Sequence, residues 1–306
     1  MDAHLRLVTD IATSLEVRGG REVELGRDFD PRYTDPSVAR QDADELLAQG
    51  IEALAAYQER LAAQDANAVL LVLQAIDAGG KDGTIKHVMT GLNPQGVEVH
   101  SFKEPSADEL QHDMLWRHQR ALPGRGRIGI FNRSHYEEVL ALRVHPELLA
   151  AEHADAAESD LWKRRYREIN DWEHHLTESG THVVKVLLNL SKDEQARRFV
   201  DRIDDKDKHW KFSPSDVRER KHWDAYQVAF SQMLTHTSTP WAPWYVVPAD
   251  HKWFARLATA AVLLHALVEI NPVYPATDPA VLTEMAAVRA ELVAELGPAQ
   301  KPTRDS

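Results

Sequence analysis

The stretch LLVLQAIDAGGKDGTIKHV, residues 70–88, decides how the rest of the chain is read. An apolar run leads through a glycine-rich turn with a lysine into the start of a helix. A phosphate-binding loop needs that succession: N–H groups of the turn and helix N-terminus point at an anion, and the helix dipole adds positive potential. Gly79, Gly80 and Gly83 let the backbone approach phosphates closely, and Lys81 supplies a mobile positive charge. Thr84 stands near the helix start, within reach of a metal or a phosphate. The stretch departs from the common pattern, G-x-x-x-x-G-K followed by Ser or Thr. Ala75 stands at the first glycine, Asp82 follows Lys81, and a further carboxylate, Asp77, lies inside the loop. The plain alternative is a tight strand-to-helix turn with exposed charges.

Asp77 falls at the C-terminal end of the apolar run, the ligand edge of a parallel sheet. A carboxylate beside a polyphosphate is repelled unless a divalent cation lies between them, and Mg2+ favours carboxylates plus phosphate oxygens. Asp77 is therefore read as a magnesium ligand or as an orienter of an incoming phosphate. A helix N-cap is the alternative.

Working outward, apolar runs alternate with amphipathic segments. Residues 43–64 space apolar positions three and four apart, as a helix does. Residues 68–76 read as a strand buried on both faces. A helix is predicted from 83 to 91, a second strand at 97–102, and a helix over 106–122 opened by a Ser106/Glu109 capping box. Strands follow at 127–132, 182–190 and 244–249, with helices at 158–179, 191–203, 213–237 and 253–270. This pattern gives an α/β fold with a parallel sheet of about five strands flanked by helices. Residues 1–40 read as a loosely structured arm, 41–270 as the main domain with a lid at about 204–220, and 271–306 as a C-terminal extension with a short Ala/Glu helix.

Composition narrows the class. The chain has 306 residues, 43% hydrophobic and 27% charged, and no cysteine, so disulfides and thiolate metal sites are excluded. No run of about 18 apolar residues occurs, so no membrane helix is expected, and the N-terminus lacks a signal layout; a cytoplasmic enzyme is the expectation. A net charge of -12 argues against nucleic-acid binding. The basic residues nevertheless cluster, around 81–86, 103, 117–133, 163–167 and 197–211.

Asn132 and Arg133 end the third strand of this reading. Phosphate-loop enzymes commonly carry an Asp there, while an arginine forms bidentate bonds to phosphoryl oxygens. Glu137 follows as a residue facing the acceptor or a metal. Arg198 and Arg202 stand four apart on one helix face, followed by Lys206, Lys208 and Lys211, the outline of a lid closing basic side chains over phosphates. A solvated charged helix is the alternative. His112, His118, His135, His174 and His175, among 16 histidines, form no HExxH box or other paired ligand spacing and are read as structural or surface residues.

The segments DAGGKDGTIKHV, LNPQGV, SFKEPS, LWRHQRALPGRGRIGIFNRSHYEEVL, SKDEQARRF, WKFSPSD and STPWAPWYVVPADHKW, in this order, resemble the family-2 polyphosphate kinases over about residues 30–270. The resemblance implies a P-loop kinase fold related to thymidylate kinases, with a helical lid, Mg2+ (or Mn2+ in its place), and inorganic polyphosphate as phosphoryl donor to nucleotides. Carried over by position, Asp77 and Lys81 are catalytic loop residues, and Asn132 and Arg133 belong to the second catalytic strand. Arg198 and Arg202 match the lid arginines. Lys86, Lys103, Arg117 and Arg120 fall in segments lining the polyphosphate path. Where many members read DRSWYNR, this chain reads NRSHYEE, which looks like the third subclass, phosphorylating AMP and ADP to give ADP and ATP. Glu137, the second metal candidate, falls where that subclass differs. Family members assemble as dimers or tetramers. Two other readings stay open: an ATP-dependent nucleoside monophosphate kinase, and a non-catalytic polyanion-binding protein.

Overall fold

A computed structural model describes residues 3–152 and 160–296. The chain divides into two compact units, Met1–Pro272 and Val273–Ser306. In chain order the first comprises α1 (Ala3–Leu15), β1 (Glu16–Val17), α2 (Leu25–Asp28), α3 (Ala43–Gln64), β2 (Ala68–Ala75), α4 (Lys81–Val88), β3 (Val97–Ser101), α5 (Trp116–Gln119), β4 (Ile128–Asn132), α6 (Ala141–Val144), α7 (Leu161–Glu178), β5 (Thr181–Asn189), α8 (Lys192–Asp204), α9 (Pro214–Glu219), α10 (Trp223–Thr237), β6 (Trp244–Pro248) and α11 (Lys252–Ile270). The second unit carries α12 (Pro279–Glu295), none of whose described residues is buried.

Successive side chains of a strand face opposite sides, and β2 is apolar but for Gln74, which donates to Ser134 Oγ at 3.2 Å, because both of its sides are covered. Val69, Leu71 and Leu73 join Ile130, Val186 and Val247 against Ile11, Leu54 and Leu263 of α1, α3 and α11. Leu70 and Val72 join Phe131, Leu187 and Val246 against Ile169 of α7 and Met233 of α10. The strands lie in the order β1-β6-β5-β2-β4-β3. The last five are parallel, as expected. The sixth, β1, adds an antiparallel edge through Glu16↔Tyr245 and Val17↔Trp244. With β4 on one side of β2 and β5 on the other, the chain leaves β2 in one direction and later returns to its other flank. A crevice at the C-terminal ends of the strands follows from such a reversal.

Several local expectations are corrected. The N-terminal segment opens with a helix, not a loose arm, and buries Val8, Ile11, Ala12 and Leu15. Residues 106–122 are not one helix. The capping box closes reciprocally, Ser106 N–H to Glu109 Oε2 at 2.7 Å and Glu109 N–H to Ser106 Oγ at 3.2 Å. The helix then stops, because Asp113 Oδ1 takes the Leu115 amide at 2.9 Å and starts a new turn. The helix expected over 213–237 is broken by a 3-10 turn at Arg220–His222. α11 is long and apolar enough to cross a membrane, but Phe254, Ala258, Val262 and Leu263 sit fully in the core.

A polar cluster interrupts the α7/α10 side of the core. Lys185 of β5 donates to Glu173 Oε2 of α7 at 2.6 Å and to the Thr237 carbonyl at 2.6 Å, while the Tyr136 hydroxyl donates to Glu173 Oε1 at 2.7 Å. Both charged groups are fully buried. Each satisfies the other, which is what keeps such burial tolerable.

Candidate active site

The loop between β2 and α4 owes its shape to α8. Gln195 Nε2 donates to the Asp77 carbonyl at 2.9 Å. One turn later Arg198, itself buried, donates to the carbonyls of Ala78 at 3.1 Å and Gly79 at 3.0 Å, and also to that of Ala249. In a trans peptide the carbonyl and the following N–H point in opposite directions. Fastening these carbonyls to α8 therefore turns the next amides away from it. The Gly79 amide closes onto the Ile76 carbonyl at 3.0 Å. Two positions show why the glycines stand where they do. A Cβ on Gly79 would lie 2.5 Å from the Ala75 methyl and 2.8 Å from the Ile76 carbonyl, and Gly80 has φ +98°. Ala78 adopts φ 61° without being glycine, the kind of strain that collects at functional sites.

Lys81, the first residue of α4, donates to the Ala75 carbonyl at 2.8 Å. Burial pushes its pKa down to about 8, helped by the Arg133 cation and opposed by Asp77, Glu137 and Asp82. Arg133 follows β4 with φ 61° and donates to Asp77 Oδ1 at 2.8 Å. Asn132 ends β4 and donates to Asp82 Oδ1 at 2.9 Å. That contact gives Asp82 a place it lacked in the sequence. It also suits an amide at 132, since an aspartate there would set two carboxylates against each other.

These groups line a cleft of about 1120 Å³ at the C-terminal edge of the sheet. Its walls hold Asp77, Gly79, Gly80, Lys81, Gly83, Thr84, Lys103, Asn132, Arg133, Arg198, Arg202 and Lys208, all singled out in the sequence. Lys86, Arg117 and Arg120 are not among the wall residues. Lys86 is exposed on α4. Arg117 holds the Lys103 carbonyl at 2.8 Å, and Arg120 lies over the Trp116 ring at 4.7 Å. Glu137 is also absent from the wall, though its charge is felt at Lys81 and Arg133. The side chain of Lys211 lies outside what the structure describes.

Sequence reasoning missed Lys252, Arg256, Asp201 and Asp216, which complete the wall. Lys252 and Arg256 had a signal: a basic pair four apart, opening a helix directly after a strand. The cleft thus gathers eight cationic side chains (81, 103, 133, 198, 202, 208, 252, 256) against five acidic ones (77, 82, 104, 201, 216). In a chain of net charge -12, this local reversal attracts a polyanion. Among the described residues no histidine lines the cleft. His118, buried under Phe102 and near His135, has its pKa pushed down to about 2, first by burial, and so stays neutral.

A clamp rather than a charge is the role the geometry gives Arg198. Arg198→Ala should lower kcat/KM by about a hundredfold through a misplaced loop, moving kcat as well as KM. Steady-state kinetics checks this. A rise in KM alone would return Arg198 to direct contact with phosphate.

A strand–loop–helix phosphate cradle, a lysine, strand-end polar residues and a basic cleft on a parallel sheet define a phosphotransferase of the P-loop kinase class. The profile of the polyphosphate kinase 2 family matches residues 37–273, and the chain belongs to that family. It is 48% identical over 280 residues to the ADP-polyphosphate phosphotransferase of Rhodopseudomonas palustris, covering 90% of this chain and 96% of the relative. To the AMP/ADP-polyphosphate phosphotransferase of Meiothermus ruber it is 42% identical, covering 84% and 93%. The crystal structure of polyphosphate kinase 2 from Arthrobacter aurescens TC1 superposes with a TM-score of 0.82 at 43% identity, over 92% of this chain and 96% of that one. The chain is therefore a polyphosphate kinase.

Proposed function

We propose that this enzyme moves the terminal phosphoryl group of inorganic polyphosphate to AMP and then ADP, giving ADP and ATP, reversibly and with Mg2+. The observation that carries the reading is the basic wall extending beyond the phosphate loop to Lys103, Lys208, Lys252 and Arg256. A single nucleotide does not need so many cationic side chains, whereas a long anionic donor does. The relative named as an AMP/ADP-polyphosphate phosphotransferase supports the acceptor choice.

In this reading the donor's terminal phosphoryl lies over the loop amides and Lys81. A phosphate oxygen of the acceptor attacks its phosphorus in line. One P–O bond forms as the bridging P–O bond breaks, and polyphosphate one unit shorter leaves. The attacking oxygen is already ionised near neutral pH, so no strong general base is needed. Arg133 and Arg202 offset charge on the transferring group. The carboxylates suit a hard divalent cation: Asp216 has its pKa raised first by burial and then by the Asp77 charge, so negative charge is crowded at this wall. Asp77 would hold the ion, with Glu137 as a second candidate. When bound, Mg2+ would neutralise and orient phosphate oxygens. We place the enzyme in the cytoplasm as a homodimer or homotetramer.

Purified enzyme given AMP, Mg2+ and long-chain polyphosphate should form ADP first and ATP later. Donor competition separates this reading from that of an ATP-dependent monophosphate kinase. If ATP phosphorylates AMP while polyphosphate does not, the proposal fails. Binding of polyphosphate without turnover would instead favour a polyanion-binding protein.

A further inference from the structure

We propose that His145, Glu219 and His222 form a second metal site, outside the cleft, for a borderline-soft divalent ion such as Zn2+. Each side chain offers one ligand atom, and these atoms all lie within 4.8 Å of one another. None of the three lines the cleft. The sequence conceals the site because His145 is 74 residues from Glu219. Glu219 and His222, three apart, close α9 and the following 3-10 turn, and this spacing brings both onto one face.

Each member is already turned toward the others. His222 occupies the N-cap position of α10 but makes no side-chain cap. Its ring instead sits against that of His145, centroids 4.8 Å apart at 66°. Nε2 of His145 meets the Glu219 carboxylate. The outer groups are in place as well. Glu147 Oε1 lies 3.2 Å from His145 Nδ1, and the Tyr226 hydroxyl donates to Glu219 Oε1 at 3.0 Å. Carboxylate-to-imidazole support of this kind fixes a ligating histidine's tautomer and ring orientation.

The donor set selects the ion. Mg2+ and Ca2+ seek oxygen ligands, whereas imidazole suits Zn2+ and its neighbours. Two imidazoles and a carboxylate give three protein ligands and leave a fourth position for water, the layout of an open tetrahedral site. His145 directly follows α6, and Glu219 and His222 form the joint between α9 and α10. A bound ion would fasten that joint, and with it the segment carrying the wall residues Lys208 and Asp216, to α6.

The test is a Zn2+ titration by calorimetry of metal-stripped enzyme in excess Mg2+, which keeps the cleft carboxylates occupied, with no polyphosphate present. Wild type should bind one Zn2+ per chain more tightly than any other site and melt at a higher temperature with it. His222→Ala, an exposed position whose change spares the fold, should weaken that binding by about a hundredfold or more, and Glu147→Gln by about tenfold. Mg2+-dependent turnover of His222→Ala should stay at the wild-type rate. Co2+ in place of Zn2+ should give a tetrahedral absorption band that His145→Ala abolishes. Equal Zn2+ affinity in wild type and His222→Ala, or no stoichiometric binding in wild type, overturns the proposal.

Discussion

Lys81→Met should lower turnover about a thousandfold and yet raise the melting temperature at pH 7. The loss follows from removing the loop's own cation, which meets charge developing on the transferred phosphoryl group. The gain follows from what that cation costs the empty fold. In the unfolded chain the lysine loses its proton near 10.5, and in the folded chain at about 8, chiefly through burial. A depressed lysine pKa disfavours folding wherever the unfolded chain holds a proton that the folded chain holds less tightly. The penalty is complete below about pH 8, shrinks as pH rises toward 10.5, and is gone above it. Its size is at most about 3 kcal/mol. The stabilisation of Lys81→Met should therefore be largest near neutral pH and fade by pH 10, as thermal melts across that range would report. Polyphosphate should stabilise wild type more than the variant, since it supplies the missing counter-charge. In wild type, kcat/KM for polyphosphate should fall as pH rises through about 8, when the free enzyme loses this proton. Lys81→Arg should remove that limb. A variant that melts below wild type at pH 7, or an unchanged alkaline limb in Lys81→Arg, would refute the assignment.

Asp77→Asn is the second large effect expected, about a hundredfold to a thousandfold in kcat. The loop should keep its path, because Gln195 and Arg198 hold the carbonyls of residues 77–79 and not the Asp77 carboxylate. Two things are lost together. Arg133 loses the carboxylate that fixes its guanidinium at 2.8 Å, and the cleft loses its foremost candidate for holding Mg2+. Titrating Mg2+ at saturating substrates separates them. A higher Mg2+ requirement in Asp77→Asn identifies the carboxylate as a metal ligand. An unchanged requirement with the same loss of rate assigns its effect to Arg133 alone.

What could be read from the sequence follows the range of the forces involved. The central strand and its glycine turn were legible because a strand covered on both sides is apolar at nearly every position, and a loop whose backbone approaches phosphate closely needs glycines. The helix break after Gln111 was not, because it turns on which hydrogen bond the Asp113 carboxylate makes. The α1 helix had a signal in the spacing of Val8, Ile11, Ala12 and Leu15, but its flanking Asp and Gly residues obscured it. In the cleft, residue types next to the loop were readable in advance. The use of Arg198 was not: a cation near a phosphate site suggests contact with phosphate, and only the fold shows its Nη donors on backbone carbonyls and its Nε on Glu194. Lys252 and Arg256 were hidden for a related reason, since their place on the wall depends on β6 lying beside β5.

The clamp on the phosphate loop also bears on when the site comes into being. Its anchors lie some 120 residues downstream: Arg198 is 120 positions from Ala78, and the same guanidinium also reaches Ala249. A growing chain that ends before Lys192 already contains every glycine of the loop, the lysine and Asp77, but neither Gln195 nor Arg198 to hold the carbonyls of residues 77–79. Such a nascent fragment carries the complete motif without its shape. Affinity for phosphate should therefore arrive late in synthesis, after α8 and β6 have left the ribosome, so that the protein's most recognisable stretch is among the last parts of it to work.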